Sequence, residues 1–345
     1  MQTKHTLPTG YLIVDRYEKG QLETLSIGDY GKSANVKADF LGYTRPLNGV
    51  QNVPCMPLSE KWVVTLSTQY GCQMGCTFCD VPKIKWNGNV SKEDLYLQLS
   101  RALAAFPNVS YTERLNIHFA RMGDPIFNNA VFDFVLDLYE YKRSYQGALG
   151  LRAEVIHPVL TTSCPKMFKQ LRRNLNRWVD LKNQLYHGQA GLQLSINSTN
   201  ENQRKEMFAG NSLELEGIAE ICRDFADPLS RKYCLNFAYS TDFEIDAVKL
   251  ANLFDPNKFM VKITPIHNNN ACRENSIKTV DGYSSFAPYS GVERDLINAG
   301  FDVLVFVPSM DEEHGLVTCG NAILGGSKFG ESITGKAINI VGVNT

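Results

Sequence analysis

From Lys61 onward, short apolar runs of strand composition alternate with amphipathic stretches, and no other feature constrains the fold as tightly. The runs are "WVVTLST" (62–68), "RLNIHFA" (114–120), "AEVIHPVLTT" (153–162), "GLQLSIN" (191–197), "YCLNFAYS" (233–240), "FMVKITPI" (259–266) and "DVLVFVP" (302–308). They are rich in β-branched and aromatic residues, the composition of strands. Between the first runs, "SKEDLYLQLSRALAAF" (91–106) and residues 128–145 have helical periodicity. Ser91, with Asp94 three residues on, supplies an N-cap signal for the first of these helices. Strand–helix units recurring every ~30–45 residues predict parallel βαβ connections. Six or more such units are too many for a flat sheet. The predicted fold class is therefore α/β, a partial (βα)6 TIM-type barrel over residues 61–310. Ahead of it, residues 9–30 alternate apolar and polar around a turn at Glu18–Gly20, which predicts a β-hairpin within a small β-rich extension, residues 1–60. Residues 311–345 form a C-terminal segment.

Composition narrows the function classes. Lys and Arg number 35 against 36 Asp and Glu, a net charge of −1, so no global field draws the chain to nucleic acid. The densest basic patch, residues 165–177, reads as the solvated face of an amphipathic helix or as a phosphate-contact surface. No run approaches the ~18 apolar residues of a membrane span. The first twenty residues show no apolar stretch behind a basic start, and nine cysteines is an odd number without framework spacing. The expectation is a cytoplasmic protein with reduced thiols and no membrane partner.

Three of those cysteines fall within "GCQMGCTFCD", residues 71–80, spaced C-x3-C-x2-C as Cys72, Cys76 and Cys79. A structural zinc ion wants four ligands, and no second Cys or His pair follows at a suitable distance. Three thiolates suit a [4Fe–4S] cluster that leaves one iron open for a cofactor. The trio follows the first predicted strand of the barrel, so it sits where such folds place their chemistry. Zinc, or thiols clustered without a shared role, are the alternatives.

The C-x3-C-x2-C spacing with Phe78 before the last cysteine resembles the signature of the radical S-adenosylmethionine (SAM) enzymes. The stretch "LSTQYGCQMGCTFCDVPKIKWNGNVSKEDL" is similar to the cluster segment of the radical SAM family that methylates adenine carbons in ribosomal and transfer RNA (RlmN/Cfr-like), with Ser67, Gln69, Gly71, Asn89 and Val90 at matching positions. The resemblance implies a [4Fe–4S] cluster on Cys72, Cys76 and Cys79 and SAM as cofactor. "RMGDP" (121–125) resembles the family segment whose backbone meets SAM, implying roles for Gly123 and Asp124. "LTTSCP" (160–165), "LSIN" (194–197) and "ITPIHNN" (263–269) resemble further cofactor-contact segments, implying Ser163, Ser195, Asn197, and His267 or Asn268. "LETL" (22–25) resembles a segment whose glutamate is a proton acceptor, implying that role for Glu23. "TCGNAILGG" (318–326) resembles one whose cysteine carries the methyl group, here Cys319. The similarity runs in order over residues 10–326.

Such an enzyme methylates its own thiolate, abstracts hydrogen from that methyl, and adds the carbon radical to the ring. A second cysteine then releases the product and leaves a disulfide. Seven residues before Cys72, where the family has that cysteine, this chain has Thr65. A threonine hydroxyl cannot close a disulfide. Cys55 or Cys164 could serve only if the fold brought one beside Cys319. The resemblance implies an accessory helical domain ahead of the β-extension that helps hold RNA, and residues 1–60 are expected to supply only the extension. Two function readings follow: methyl transfer to an sp2 carbon of a nucleobase-like substrate (RNA or a nucleotide), or direct hydrogen abstraction by a 5′-deoxyadenosyl radical from a small molecule or peptide. A metal-binding module without turnover is a third. The implied partner is a one-electron reductant of flavodoxin or ferredoxin type.

Overall fold

The structure is a computed structural model that describes residues 3–44, 55–144, 150–279, 285–308 and residue 323. The strands are β1 (Thr3–Leu7), β2 (Gly10–Tyr17), β3 (Gly20–Ile27), β4 (Val36–Lys37), β5 (Lys61–Leu66), β6 (Tyr111–Phe119), β7 (Arg152–Thr162), β8 (Gly191–Ser195), β9 (Tyr233–Tyr239), β10 (Phe259–Pro265) and β11 (Asp302–Phe306). The α-helices are α1 (Lys32–Asn35), α2 (Lys92–Ala104), α3 (Asn129–Ser144), α4 (Leu171–Asp180), α5 (Glu201–Met207), α6 (Leu215–Arg223), α7 (Ala247–Leu253), α8 (Asn270–Glu274) and α9 (Ser290–Asn298).

All strands belong to one sheet in the order β1-β2-β3-β5-β6-β7-β8-β9-β10-β11-β4. From β5 to β11 every neighbour is parallel, because each connection carries one or two helices back across the sheet. This is the expected succession of six strand–helix units, closed by a seventh strand. The pairing itself does not close into a ring: β1 is one edge and β4 the other. The hairpin is present, with β2 and β3 joined across Glu18 and Lys19, and it extends the sheet antiparallel through the register Leu25 opposite Thr65. Ser91 caps α2 as its sequence predicts, accepting the Asp94 N–H at 3.0 Å.

Strands β5, β8, β10 and β11 alternate strictly. Trp62, Val64 and Leu66 of β5 face the helical layer and are fully buried, whereas Lys61, Val63 and Thr65 face the other way. Alternate residues from all seven parallel strands line one cavity of 510 Å³, among them Lys61, His118, His157, Gln193, Cys234, Lys262 and Leu304. The sheet therefore curls, with an apolar outer face under the helices and an inner face that mixes charged, polar and apolar side chains. Among the described residues no helix is long and apolar enough to cross a membrane. The basic stretch at 165–177 carries the solvated face of α4, where Arg172 pairs with Glu220 and Asp224 and Arg177 with Asp133.

Candidate active site

Residues 71–80 form a loop beyond the C-terminal end of β5. Gly71 has φ +78°, and a Cβ there would lie 2.7 Å from the Ile84 carbonyl oxygen, so only glycine fits the turn. Three asparagine side chains hold the loop by its carbonyl groups: Asn211 donates to Met74, Asn275 to Thr77 and Asn269 to Phe78, each at 2.8 Å. Asp80 accepts the Ala271 N–H at 2.9 Å, and the Asn269 side chain caps α8 by accepting the Cys272 N–H at 2.8 Å. Underneath, Met74, Cys76, Met207, Phe208, Ile266 and Cys272 pack as one buried apolar cluster with Cys72 and Cys79 against it.

The thiols are held in a poor setting for bare thiolates. Burial pushes Cys72 up to about 11 and Cys76 well above its usual value, and the neighbouring Cys72 and Cys79 add to the rise at Cys76. The three are thus close enough to oppose one another's ionisation, a conflict that bound iron relieves. Among the described residues no three Cys, His, Asp or Glu side chains converge on a single metal ion. Three thiols are the donor type that an iron–sulfur cube takes, with one iron left open.

Gly123 and Asp124 come to this loop. Their main-chain N–H groups face the Cys72 sulfur and offset part of its rise. Gly123 has φ +85°, and a Cβ there would lie 2.4 Å from the Gln69 side chain. Gln69 in turn donates to Asn89 at 2.8 Å and accepts the Asp124 N–H at 3.3 Å, which ties together several positions matched in sequence. The Asp124 carboxylate is buried and spent within the chain: it accepts from Ile126 N–H at 3.1 Å, Ser163 N–H at 2.7 Å and the Thr162 hydroxyl at 3.0 Å. Burial nevertheless raises it to about 6. Asp124 thereby joins the ends of β6 and β7 and fixes Ser163 beside the loop.

Ser195 ends β8, opposite Asn236. Asn197 is buried with φ +63°, and its side-chain oxygen accepts the Ala238 N–H at 3.0 Å, a brace between β8 and β9. His267 lines an upper cavity of 430 Å³ whose wall also includes Cys79, Thr65 and Asn269. Asn268 does not line it; it is exposed and accepts from Arg273 at 2.6 and 3.1 Å. Thr65 presents a buried hydroxyl with no hydrogen-bond partner among the described residues. Cys55 lies instead beside Asp29, with its sulfur 3.5 Å from that carbonyl oxygen, and Cys164 is fully buried in the core. Neither lines the upper cavity.

Glu23 of β3 is fully buried and ion-paired to Arg121 at 2.9 Å. Its other oxygen accepts the Ile323 N–H at 2.9 Å, which places the carboxylate four residues in sequence from Cys319. Cys319 itself lies outside the described residues, as does the rest of the segment 311–345 apart from residue 323. Sequence reasoning missed Arg121, Asn269, Asp80 and Cys272. The one local signal was the run "HNNNAC", where an asparagine just before a short helix is a cap pattern.

No family model matches the chain. The dual-specificity RNA methyltransferase RlmN of Desulfosudis oleivorans is 27% identical over 222 residues, covering 61% of this chain and 53% of that protein. The RlmN of Anaeromyxobacter dehalogenans is 26% identical over 262 residues, 73% of this chain and 65% of the other. The chain spans about half the length of the first curated relatives it matches. Among solved structures, a radical SAM methyltransferase from Sphaerobacter thermophilus superposes with a TM-score of 0.58 at 17% identity, over 86% of this chain and 73% of that one. The chain is similar in sequence to RlmN-type methyltransferases and shares its fold with a radical SAM methyltransferase.

Proposed function

We propose that this protein is a radical SAM enzyme of the methyltransferase type, with its curled sheet serving as a partial barrel. Cys72, Cys76 and Cys79 hold a [4Fe–4S] cluster, and Gly123, Asp124, Ser163, Ser195, Asn197 and His267 shape the neighbouring SAM pocket. Bound there and reduced by a flavodoxin- or ferredoxin-type donor, cluster and cofactor supply a 5′-deoxyadenosyl radical. The observation that carries this reading is the braced three-cysteine loop, with Cys72 against the Gly123–Asp124 backbone and Cys79 opening on the upper cavity. The sequence similarity to RlmN-type enzymes points the chemistry toward an sp2 carbon of a nucleobase-like acceptor, RNA or a nucleotide.

In this reading Cys319 accepts the SAM methyl group as a thiolate, and Glu23 takes the proton lost from the substrate carbon. Arg121 fixes the Glu23 carboxylate, and the Ile323 N–H brings the Cys319 segment toward it. Thr65 favours a second reading. Its hydroxyl, not a thiol, stands in the cavity wall, so the release step of the methyl route lacks its usual group. Direct hydrogen abstraction needs no such thiol.

The test is anaerobic reconstitution, reduction with SAM, and intact-mass analysis with peptide mapping. A methyl group on Cys319, with S-adenosylhomocysteine and 5′-deoxyadenosine formed together on substrate addition, supports methyl transfer. 5′-Deoxyadenosine alone, with Cys319 unmodified and Cys319→Ala fully active, refutes it in favour of abstraction.

A further inference from the structure

The 510 Å³ cavity lies at the N-terminal ends of the strands, away from the cysteine loop, and its charge is unbalanced. Five cations line it, contributed by Lys32, Lys61, Arg231, Lys232 and Lys262. The lining includes only two carboxylates, and each has a partner: Asp29 pairs with Lys61 at 2.5 Å and Asp302 with Lys232 at 2.7 Å. Lys32, Arg231 and Lys262 form no ion pair among the described residues; Lys262 has only the Phe306 ring, 5.3 Å from its nitrogen. Neutral donors and acceptors are left over too. His157 is 4% exposed and Asn116 8%, and the His157 Nδ1 and Asn116 Oδ1 both lack a hydrogen-bond partner among the described residues.

We infer that this cavity binds the phosphate group of a small phosphorylated substrate, such as a nucleoside monophosphate, whose other end reaches the cysteine loop. Three half-buried cations without an ion pair among the described residues line one void, and Lys61 opposes the charge of Lys262. Burial and the nearby Arg114 lower Arg231 to about 10, and Arg231 in turn adds to the lowering at Lys32. A doubly charged oxyanion cancels that repulsion and accepts charge-assisted hydrogen bonds from all three. The volume lies within the ~300–1,000 Å³ usual for small-molecule sites.

The position suits a substrate of the proposed reaction, on which this part of the inference rests. Asn116, His118, Gln193 and Lys262 line both the lower and the upper cavity, so the two adjoin. Lys61 and Thr65 lie four residues apart on β5, a separation of about 13 Å along the strand. A nucleoside monophosphate bridges that span, with its phosphate on the basic floor and its base toward Thr65 and Cys79.

The test is calorimetric titration of the reconstituted holoprotein with adenosine 5′-monophosphate, pyrophosphate, adenosine, and a short single-stranded RNA without terminal phosphates. Saturable binding of the two phosphates, with adenosine at least about tenfold weaker, is expected. Lys262→Met and Arg231→Gln should each weaken the phosphates about tenfold or more and leave adenosine unchanged. Lys262→Met should also melt no lower than wild type without ligand, because it removes a half-buried charge that has no ion pair among the described residues. Lys32→Gln, on the short helix α1, gives a third variant with the same expected direction. The inference is overturned if neither phosphate binds saturably, if adenosine binds as tightly as its monophosphate, if all three variants bind like wild type, or if the RNA outcompetes the monophosphate. Cluster absorbance and SAM cleavage are read on the same preparation. Phosphate binding without SAM cleavage refutes the proposed reaction and leaves the floor standing, while SAM cleavage without phosphate binding refutes the floor alone.

Discussion

Replacing Glu23 by glutamine should destabilise the protein by about 3–5 kcal/mol, the usual cost of breaking a buried ion pair from one side. The figure follows from geometry: the side chains of Glu23 and Arg121 are 0% and 1% exposed, and their charged atoms are 2.9 Å apart. Glutamine keeps an oxygen for the Ile323 N–H but removes the negative charge that lies 2.9 Å from the buried guanidinium. That loss is a large share of the ~5–15 kcal/mol that holds a typical domain together. Arg121→Met should cost a similar amount, because it removes the cation 2.9 Å from the buried carboxylate. The double variant Glu23→Gln/Arg121→Met should return close to wild-type stability, since an apolar replacement of a whole buried pair is often neutral. Equilibrium denaturation of the four proteins reads the coupling directly. A single variant costing under about 1 kcal/mol, or costs that simply add in the double, would refute the reasoning. The same set separates stability from chemistry: if Glu23 accepts the substrate proton, the double variant refolds normally and still fails to transfer a methyl group.

Asp124 predicts a pH signature in the iron-free chain. Its folded value of about 6 lies above the ordinary 3.8, so the native state binds the extra proton and is favoured at low pH. Relative to Asp124→Asn, wild type should lose up to about 3 kcal/mol of stability as pH rises from about 4 through 6, and a flat difference contradicts this. Asn269→Ala removes the bond to the Phe78 carbonyl and the cap of α8, so it should cost about 1–2 kcal/mol and speed chelator stripping of iron from the reconstituted protein. Unchanged iron loss would mean that Asn269 does not brace the loop. Gly123→Ala should weaken SAM binding, measured by calorimetry, because its Cβ would displace Gln69. Unaltered affinity would detach that turn from the cofactor.

The parallel strands were legible because each is a compact apolar run of β-branched and aromatic residues between helical stretches. The outer elements were not. β1 is "TKHTL", a polar and mostly exposed edge strand, and β4 is two residues paired across the sheet's far margin. The cysteine loop could be read because thiols at that spacing have few uses. Arg121, Asn269 and Asp80 could not, because arginine, asparagine and aspartate are common everywhere and acquire meaning only from what the fold places beside them. The basic floor was hidden for a further reason. Lys32, Lys61, Arg231 and Lys262 are scattered along the chain, and a net charge of −1 averages them away. The alternation that turns Lys61, Thr65, Lys262 and Thr264 inward is present in "KWVVTL" and "FMVKITP", where these residues alternate with buried apolar ones.

The most direct test of the account is SAM cleavage by the anaerobically reconstituted protein, set against Cys76→Ala. The account predicts a brown protein with iron–sulfur absorbance that converts SAM to 5′-deoxyadenosine when reduced, and a variant that loses both properties. A wild-type protein that assembles no cluster, or one that binds iron yet leaves SAM intact under reduction, would contradict it.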